Sequence, residues 1–480
     1  MFVLALSLYN TWNRGVFLLC KITNLLIYSY TFKLRDGIKW SDGQDVTAND
    51  FEYAWKRLVN PETAADYSYM LDCVVNAQDI IDGNKSADEL AVKAVDDKTF
   101  EVTLVNDLPY FEELCAFPAM MPVRQDMIEK GGDQWTFNVD TYISNGAYKM
   151  KEWTHNSQIV VEKNENYYDF ENLGPETITF KLMDNQNAML SGFKSGELDF
   201  IQDAPQAEIT SLIASGDMKI VDYIGTYYVC FQTEKEPFND PKVRKAFSLA
   251  IDRTYIVNQV TQSGQVEAGG FVPAGIYDAE GTDGDDFRTV GGDYYKPTDA
   301  DYEANCEEAR KLLAEAGYEN GEGFPVVEYL YNTSDAHKAV AEALQSMWEN
   351  ELGVTVTLNN QEWAAFLQTR KDGDYSIARN SWIADYNDPM SFLDMWLTGG
   401  GNNDCQYSNS DYDSLIAQAK AETDTSKRME LLHQAEDKLV GEDSVLAPIY
   451  FYTQKYMLAD GIKGLYCCPL GYFFFGYTHQ

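Results

Sequence analysis

Carboxylates, imidazoles and guanidinium groups are the side chains here whose types could do chemistry, and their spacing narrows what that chemistry is. The four histidines, His155, His337, His433 and His479, are scattered and form no H-E-x-x-H pair, so no metal site is expected. No G-x-x-x-x-G-K-S/T or G-x-G-x-x-G run is present to cradle a phosphate. Gly192-Phe193-Lys194-Ser195-Gly196 misses the spacing of a nucleophile elbow. Asp283, Asp285 and Asp286 begin like a calcium loop, but the twelfth position is Tyr294 instead of Glu, so a solvated loop is expected. A hydrolytic carboxylate pair is defined by a spatial gap of roughly 5–10 Å, which spacing along the chain does not supply. A carboxylate-based hydrolase therefore stays open at this level, although no motif favours an enzyme. No cofactor is expected.

Charge excludes another class. The 480 residues hold 37 Lys and Arg against 76 Asp and Glu, a net charge of −39. Such a surface repels phosphate backbones, so nucleic acid is not a partner. A hydrophobic content of 45% argues against disorder, and the length suggests two or three domains. The 32 Tyr, 24 Phe and 9 Trp either fill ordinary cores or line a cleft, where a flat ring with a polar tip suits varied ligands. The eight cysteines, Cys20, Cys73, Cys115, Cys230, Cys306, Cys405, Cys467 and Cys468, contain no C-x-x-C and read mostly as small buried hydrophobes with one optional disulfide.

The front of the chain gives no clear export signal. Residues 1–8 and 16–19 are apolar, but Asn10, Thr11, Asn13 and Arg14 separate them. Cys20 follows Leu18-Leu19, whereas a lipoprotein signal wants a small residue there. No run reaches the ~18 apolar residues of a membrane span.

The elements that must position any site read as mixed α/β. Residues 30–34 form a strand ended by the Asp36-Gly37 turn. Thr47 caps a helix with apolar face Phe51, Ala54, Trp55 and Leu58. Residues 91–95 and 100–104 flank a hairpin turn, and Pro109, Pro118 and Pro122 mark a loop-rich passage. A strand is expected at 177–182. Helix faces are expected at Val243, Ala246, Phe247, Ala250 and Ile251, and at Leu312, Leu313 and Ala316 before Gly317. Val340, Ala343, Leu344, Met347 and Trp348 form another face, ended near Gly353 and followed by the alternating strand Val354, Val356, Leu358. Residues 264–275 and 281–297 read as surface loops, and the aromatic run 472–477 as a terminal strand.

Five segments carry a resemblance. The first is Leu34-Arg35-Asp36-Gly37-Ile38-Lys39-Trp40-Ser41-Asp42-Gly43, followed by Val46-Thr47-Ala48-Asn49-Asp50-Phe51. The second is Asn145-Gly146-Ala147-Tyr148. The third runs from Pro237-Phe238-Asn239-Asp240-Pro241 to Ala250-Ile251-Asp252-Arg253. The fourth is Tyr331-Asn332-Thr333-Ser334-Asp335 with His337-Lys338. The fifth joins Asn360-Gln361-Glu362-Trp363 to Trp382-Ile383-Ala384-Asp385-Tyr386-Asn387-Asp388-Pro389. In this order the chain resembles the family 5 extracellular solute-binding proteins, in their branch of oligopeptide-binding proteins of bacterial ABC importers.

The resemblance implies an α/β, two-lobed periplasmic-binding-protein-like fold of type II, in its large three-subdomain variety. Residues 29–160 would be the additional N-terminal subdomain, 161–225 the first lobe, 226–452 the second lobe and 453–480 the return to the first. Residues 1–28 do not resemble the segment members carry before this strand, so an incomplete front is expected. The implied function is a non-catalytic, monomeric receptor outside the cytoplasm, in the periplasm or held at the outer membrane face, with a lipid anchor as one means. It would enclose a short peptide between its lobes and deliver it to ABC transporter permease subunits. Many sequences can then be held through what peptides share, their backbone and charged ends. Asp385 matches the position that pairs the ligand ammonium. Arg379 and His337 match positions that meet the carboxylate, with Arg370 a weaker candidate. Tyr110, Trp363 and Trp382 match positions lining the cleft. A non-peptide solute (an oligosaccharide, opine or metal chelate) on the same fold is the alternative.

Overall fold

The computed structural model describes residues 17–24, 27–108, 110–295 and 299–480. Expectations placed on residues 1–8, Arg14, Val16, Pro109 and Pro297 lie outside the described residues, as does the side chain of Cys20. The chain divides into two compact units, Met1–Asp199 with Leu458–Gln480, and Phe200–Met457.

In the first unit, β1 (Phe17–Asn24), β2 (Ile27–Leu34), β3 (Val92–Asp96) and β4 (Thr99–Leu104) form an antiparallel sheet in the order β1-β2-β4-β3. The helix Ala48–Val59 covers it with the expected face: Phe51, Ala54, Trp55 and Leu58 are buried. Its start is a capping box, in which the Asp50 carboxylate accepts from Thr47 N at 2.8 Å and Thr47 Oγ1 at 3.2 Å. Trp55 meets Phe100 edge-on at 5.3 Å, while its indole N–H donates to the Met120 carbonyl. A second antiparallel sheet joins β5 (Tyr148–Thr154), β6 (Gln158–Lys163) and β7 (Thr177–Lys181).

The second unit is built on one sheet. Its strands are β8 (Phe200–Ile201), β9 (Met218–Phe231), β10 (Val266–Glu267), β11 (Val327–Asn332), β12 (Val356–Gln361), β13 (Ile377–Ile383) and β14 (Leu446–Leu458). They run in the order β10-β14-β9-β13-β11-β12, with β8 against β14. The inner strand β9 is antiparallel to β13 and β14, and β11 is parallel to β12 and β13. Residues 227–231 on β9 are wholly buried, as an inner strand covered on both faces requires. The chain then closes on the short hairpin of β15 (Tyr466–Cys467) and β16 (Phe473–Phe474). The aromatic run 472–477 thus supplies only two strand residues.

The helix Asp335–Leu352 buries Val340, Leu344 and Trp348 and ends at Gly353. Asp286, from the candidate calcium loop, caps the helix Phe287–Gly291 instead, and no metal-holding cluster of acids, cysteines or histidines occurs among the described residues.

Gly353 has φ of 69°, and a methyl group there would sit 2.5 Å from the Asn320 carbonyl oxygen. Gly353→Ala is expected to destabilise the protein by about 1–3 kcal/mol in urea unfolding, from backbone strain and the clash together.

Candidate functional site

Strand β13 sorts its side chains by alternation. Register pairs Arg379 with Val229 and Ser381 with Tyr227, while Asn380 pairs with Tyr228 and Trp382 with Thr226. Arg379 and Ser381 therefore share one face, and Asn380 and Trp382 the other.

On the first face Arg379 is 6% exposed, yet its charge meets no carboxylate among the described residues. Its Nη1 donates to Asn332 Oδ1 at 3.2 Å, and its Nη2 donates to Ser381 Oγ at 3.0 Å and Tyr452 Oη at 3.4 Å. Its Nε has no hydrogen-bond partner there. The guanidinium lies 5.2 Å over the Tyr227 ring, which stacks on Tyr450 at 4.8 Å. The electron-rich Tyr452, Tyr227 and Tyr450 hold Arg379 firmly in its charged form against the cost of burial. A buried cation without an acid is costly, so this geometry suits an incoming anion. His337, in the first turn of the helix Asp335–Leu352, places Nδ1 3.5 Å from the Tyr227 hydroxyl. Burial, and then the nearby Arg379 charge, push its pKa down to about 3, so it is neutral near pH 7.

Just past β13 the chain presents two acids with opposite fates. Asp388 accepts both arms of the buried Arg428, at 2.8 and 2.7 Å. Asp385, three positions earlier, has no cation within 4 Å among the described residues. Its backbone N–H donates to Ser391 Oγ at 2.9 Å, and the Ser391 carbonyl accepts from Trp382 Nε1 at 2.7 Å. Desolvation, followed by the nearby Asp394 charge, holds the Asp385 carboxyl well above its ordinary range. Asp394 itself faces Lys420 at 3.7 Å. Gly225 lets the end of β13 close in, since a methyl group there would lie 2.3 Å from Ile383 Cδ1 and 2.9 Å from the Trp382 carbonyl.

The structure thus joins Arg379 with His337 through Tyr227, and Asp385 with Trp382 through Ser391. Arg370 belongs to the other face of β13: its Nη1 donates to Asn380 Oδ1 at 2.7 Å, and its Nε lies 2.7 Å from Asp404 Oδ2. Trp363 opens the helix Trp363–Lys371 and is 53% exposed, with its ring against Phe366. Tyr110 is buried in the first unit, before the short helix Phe111–Leu114. The sequence reading missed Asn332, Ser381, Tyr227, Tyr450 and Tyr452. Each is an ordinary strand residue in the sequence, and only strand pairing brings them to Arg379.

Comparison with known proteins bears on this arrangement. The family model described as "Bacterial extracellular solute-binding proteins, family 5 Middle" matches residues 28–404. The chain belongs to this family. The oligopeptide-binding protein OppA of Bacillus subtilis is 38% identical over 443 residues, covering 91% of this chain and 79% of that protein. The periplasmic oligopeptide-binding protein OppA of Salmonella typhimurium is 39% identical over 440 residues, covering 91% and 78%. The crystal structure of Haemophilus influenzae OppA in complex with the peptide RPPGFSPFR is similar with a TM-score of 0.85 and 33% identity, covering 96% of this chain and 89% of that one. The family 5 chain described here accordingly has the mixed α/β, periplasmic-binding-protein-like fold of those structures.

Its two neighbouring acids should behave differently when substituted. Asp388→Ala strands the Arg428 charge and is expected to cost about 3–5 kcal/mol in urea unfolding. Asp385→Asn is expected to cost none. The folded pKa of Asp385 is raised above the ordinary 3.8, so its ionised form opposes folding. Stability is then lost as pH climbs from 3.8 through the raised value, and Asp385→Asn should flatten that part of the pH profile measured by thermal unfolding.

Proposed function

We propose that this chain is the extracytoplasmic receptor that supplies short peptides to an ABC importer, holding the ligand ammonium at Asp385 and its carboxylate at Arg379 with His337. One observation carries the assignment of ends: among the described residues, a buried guanidinium with no acid and a desolvated carboxyl with no cation stand six positions apart on one strand and its extension. Each group lacks the charge that the other end of a zwitterion brings. Six extended residues span at most roughly 20 Å, a gap that a peptide of a few residues fits. Neutral His337 adds a hydrogen-bonding partner beside the cation without competing for the carboxylate. Side-chain tolerance would come from hydrated pockets between these two fixed ends. The named relatives, which are binding proteins, support a binding role in place of turnover, with peptide and permease as partners.

The resemblance proposes 29–160 as the additional subdomain and 161–225 with 453–480 as the first lobe, whereas the compact first unit, Met1–Asp199 with Leu458–Gln480, leaves residues 200–225 and 453–457 to the second. The address is outside the cytoplasm, since the family is described as extracellular and the Salmonella relative as periplasmic. Among the described residues no helix is long and apolar enough to cross a membrane. A lipid-held position would be read by partitioning of the native protein into a detergent phase.

Isothermal calorimetry with a short peptide tests the site. Asp385→Asn should weaken binding by at least ~1.5 kcal/mol, and acetylating the peptide's amino end should cost wild type a similar amount but the variant little. Arg379→Met should cost about 1.5–3 kcal/mol and make affinity insensitive to amidating the peptide's carboxyl end. Unchanged affinity in Asp385→Asn would sink the assignment.

A further inference from the structure

The face of β13 turned away from Arg379 holds a polar cluster that ligand binding does not use. Asn380 Nδ2 donates to Cys230 Sγ at 3.4 Å and to Asp404 Oδ2 at 3.2 Å. The next residue, Cys405, directs its Sγ to the Val445 carbonyl at 3.6 Å, and Leu446 after it is in register with Cys230. The Cys405 carbonyl is itself fixed by Thr233 N and Thr233 Oγ1, each at 3.0 Å. The two side chains are thus neighbours that interact with one another. Both residues are free thiols with fully buried side chains.

We propose that Cys230 and Cys405 are a disulfide-forming pair, a modification site that staples the inner strand β9 to the loop that carries Asp404. Because the thiols already converge, closing the bond asks for side-chain rotation more than backbone movement. The oxidant is a disulfide of another protein or of a small thiol. One cysteine, as thiolate, attacks it, forms a mixed disulfide and expels the first thiol. The second cysteine then attacks the cysteine sulfur of that mixed bond and expels the second. Two protons and two electrons leave the pair, and the oxidant's S–S bond is reduced to two thiols. Burial pushes the Cys405 thiol well above its ordinary pKa, which starves the folded protein of thiolate. Exchange therefore belongs to folding, before the sheet closes over the pair. An extracytoplasmic address, as read above, is where such an oxidant is met.

The test refolds the full chain from denaturant with oxidised glutathione, then alkylates it under denaturing conditions without reductant, digests it and weighs the peptides. The expected result is a peptide joining Cys230 to Cys405, two hydrogen masses lighter than its reduced parts and split by dithiothreitol. The oxidised chain should melt on the order of 10 °C above the reduced one, given the long loop closed. Cys405→Ser should show neither change. Full alkylation of both cysteines after oxidative refolding, pairing of either with a different cysteine, or a crosslink without a rise in melting temperature would overturn the proposal. Should Cys405→Ser not fold, Cys230→Ala makes the same comparison, and the crosslink map on the unaltered chain needs neither variant. These readouts are independent of peptide affinity, so failure here and failure of the peptide reading are distinguishable.

Discussion

A guanidinium withdrawn from water, with no acid beside it among the described residues, is the constraint around which the second unit is arranged. Desolvation alone would make Arg379 expensive, yet it sits in the middle of a sheet. It is tolerated because dipoles and rings stand where a carboxylate would otherwise stand: Asn332, Ser381 and Tyr452 accept its protons, and Tyr227 lies under its plane. Those groups stabilise the cation without neutralising it. The same logic in reverse governs Asp385, whose carboxyl is desolvated and faces a second acid nearby. Opposite charges have been kept apart, an arrangement that the two ends of the proposed peptide ligand would complete.

The rest of the unit contrasts with that arrangement. Arg428 with Asp388, Arg288 with Glu436, and Arg370 with Asp404 are all matched internally at 2.7 Å. Arg244 and Arg253 satisfy themselves largely on backbone carbonyls. Against this background of paired arginines, Arg379 is distinguished by its surroundings more than by its residue type.

How much of this was legible in the sequence depends on the range of the interaction. Helix faces such as Phe51-Ala54-Trp55-Leu58 and the 92–104 hairpin are local, and periodicity exposes them. The motif around Asp385 was readable as a segment, but which of its two acids carries an internal partner was not, because Arg428 lies 40 positions downstream. Arg370 and Arg379 look alike as basic residues near one strand. Only Asp404 and the alternation of β13 send the first to the opposite face. The three tyrosines around Arg379 come from two strands more than 200 positions apart, and nothing in a linear pattern separates them from ordinary core residues.

The alternation of β13 has a consequence for how this protein can change over time. Insertion or loss of one residue within the strand would exchange its faces, turning Arg379 toward the interior cluster of Asp404 and Asn380 toward the tyrosines. Both faces would fail together, so length variation here is barred far more strictly than residue variation. Diversification among descendants is therefore expected to accumulate at the loops and helix ends around the strand, where new specificities can be tried without touching the count.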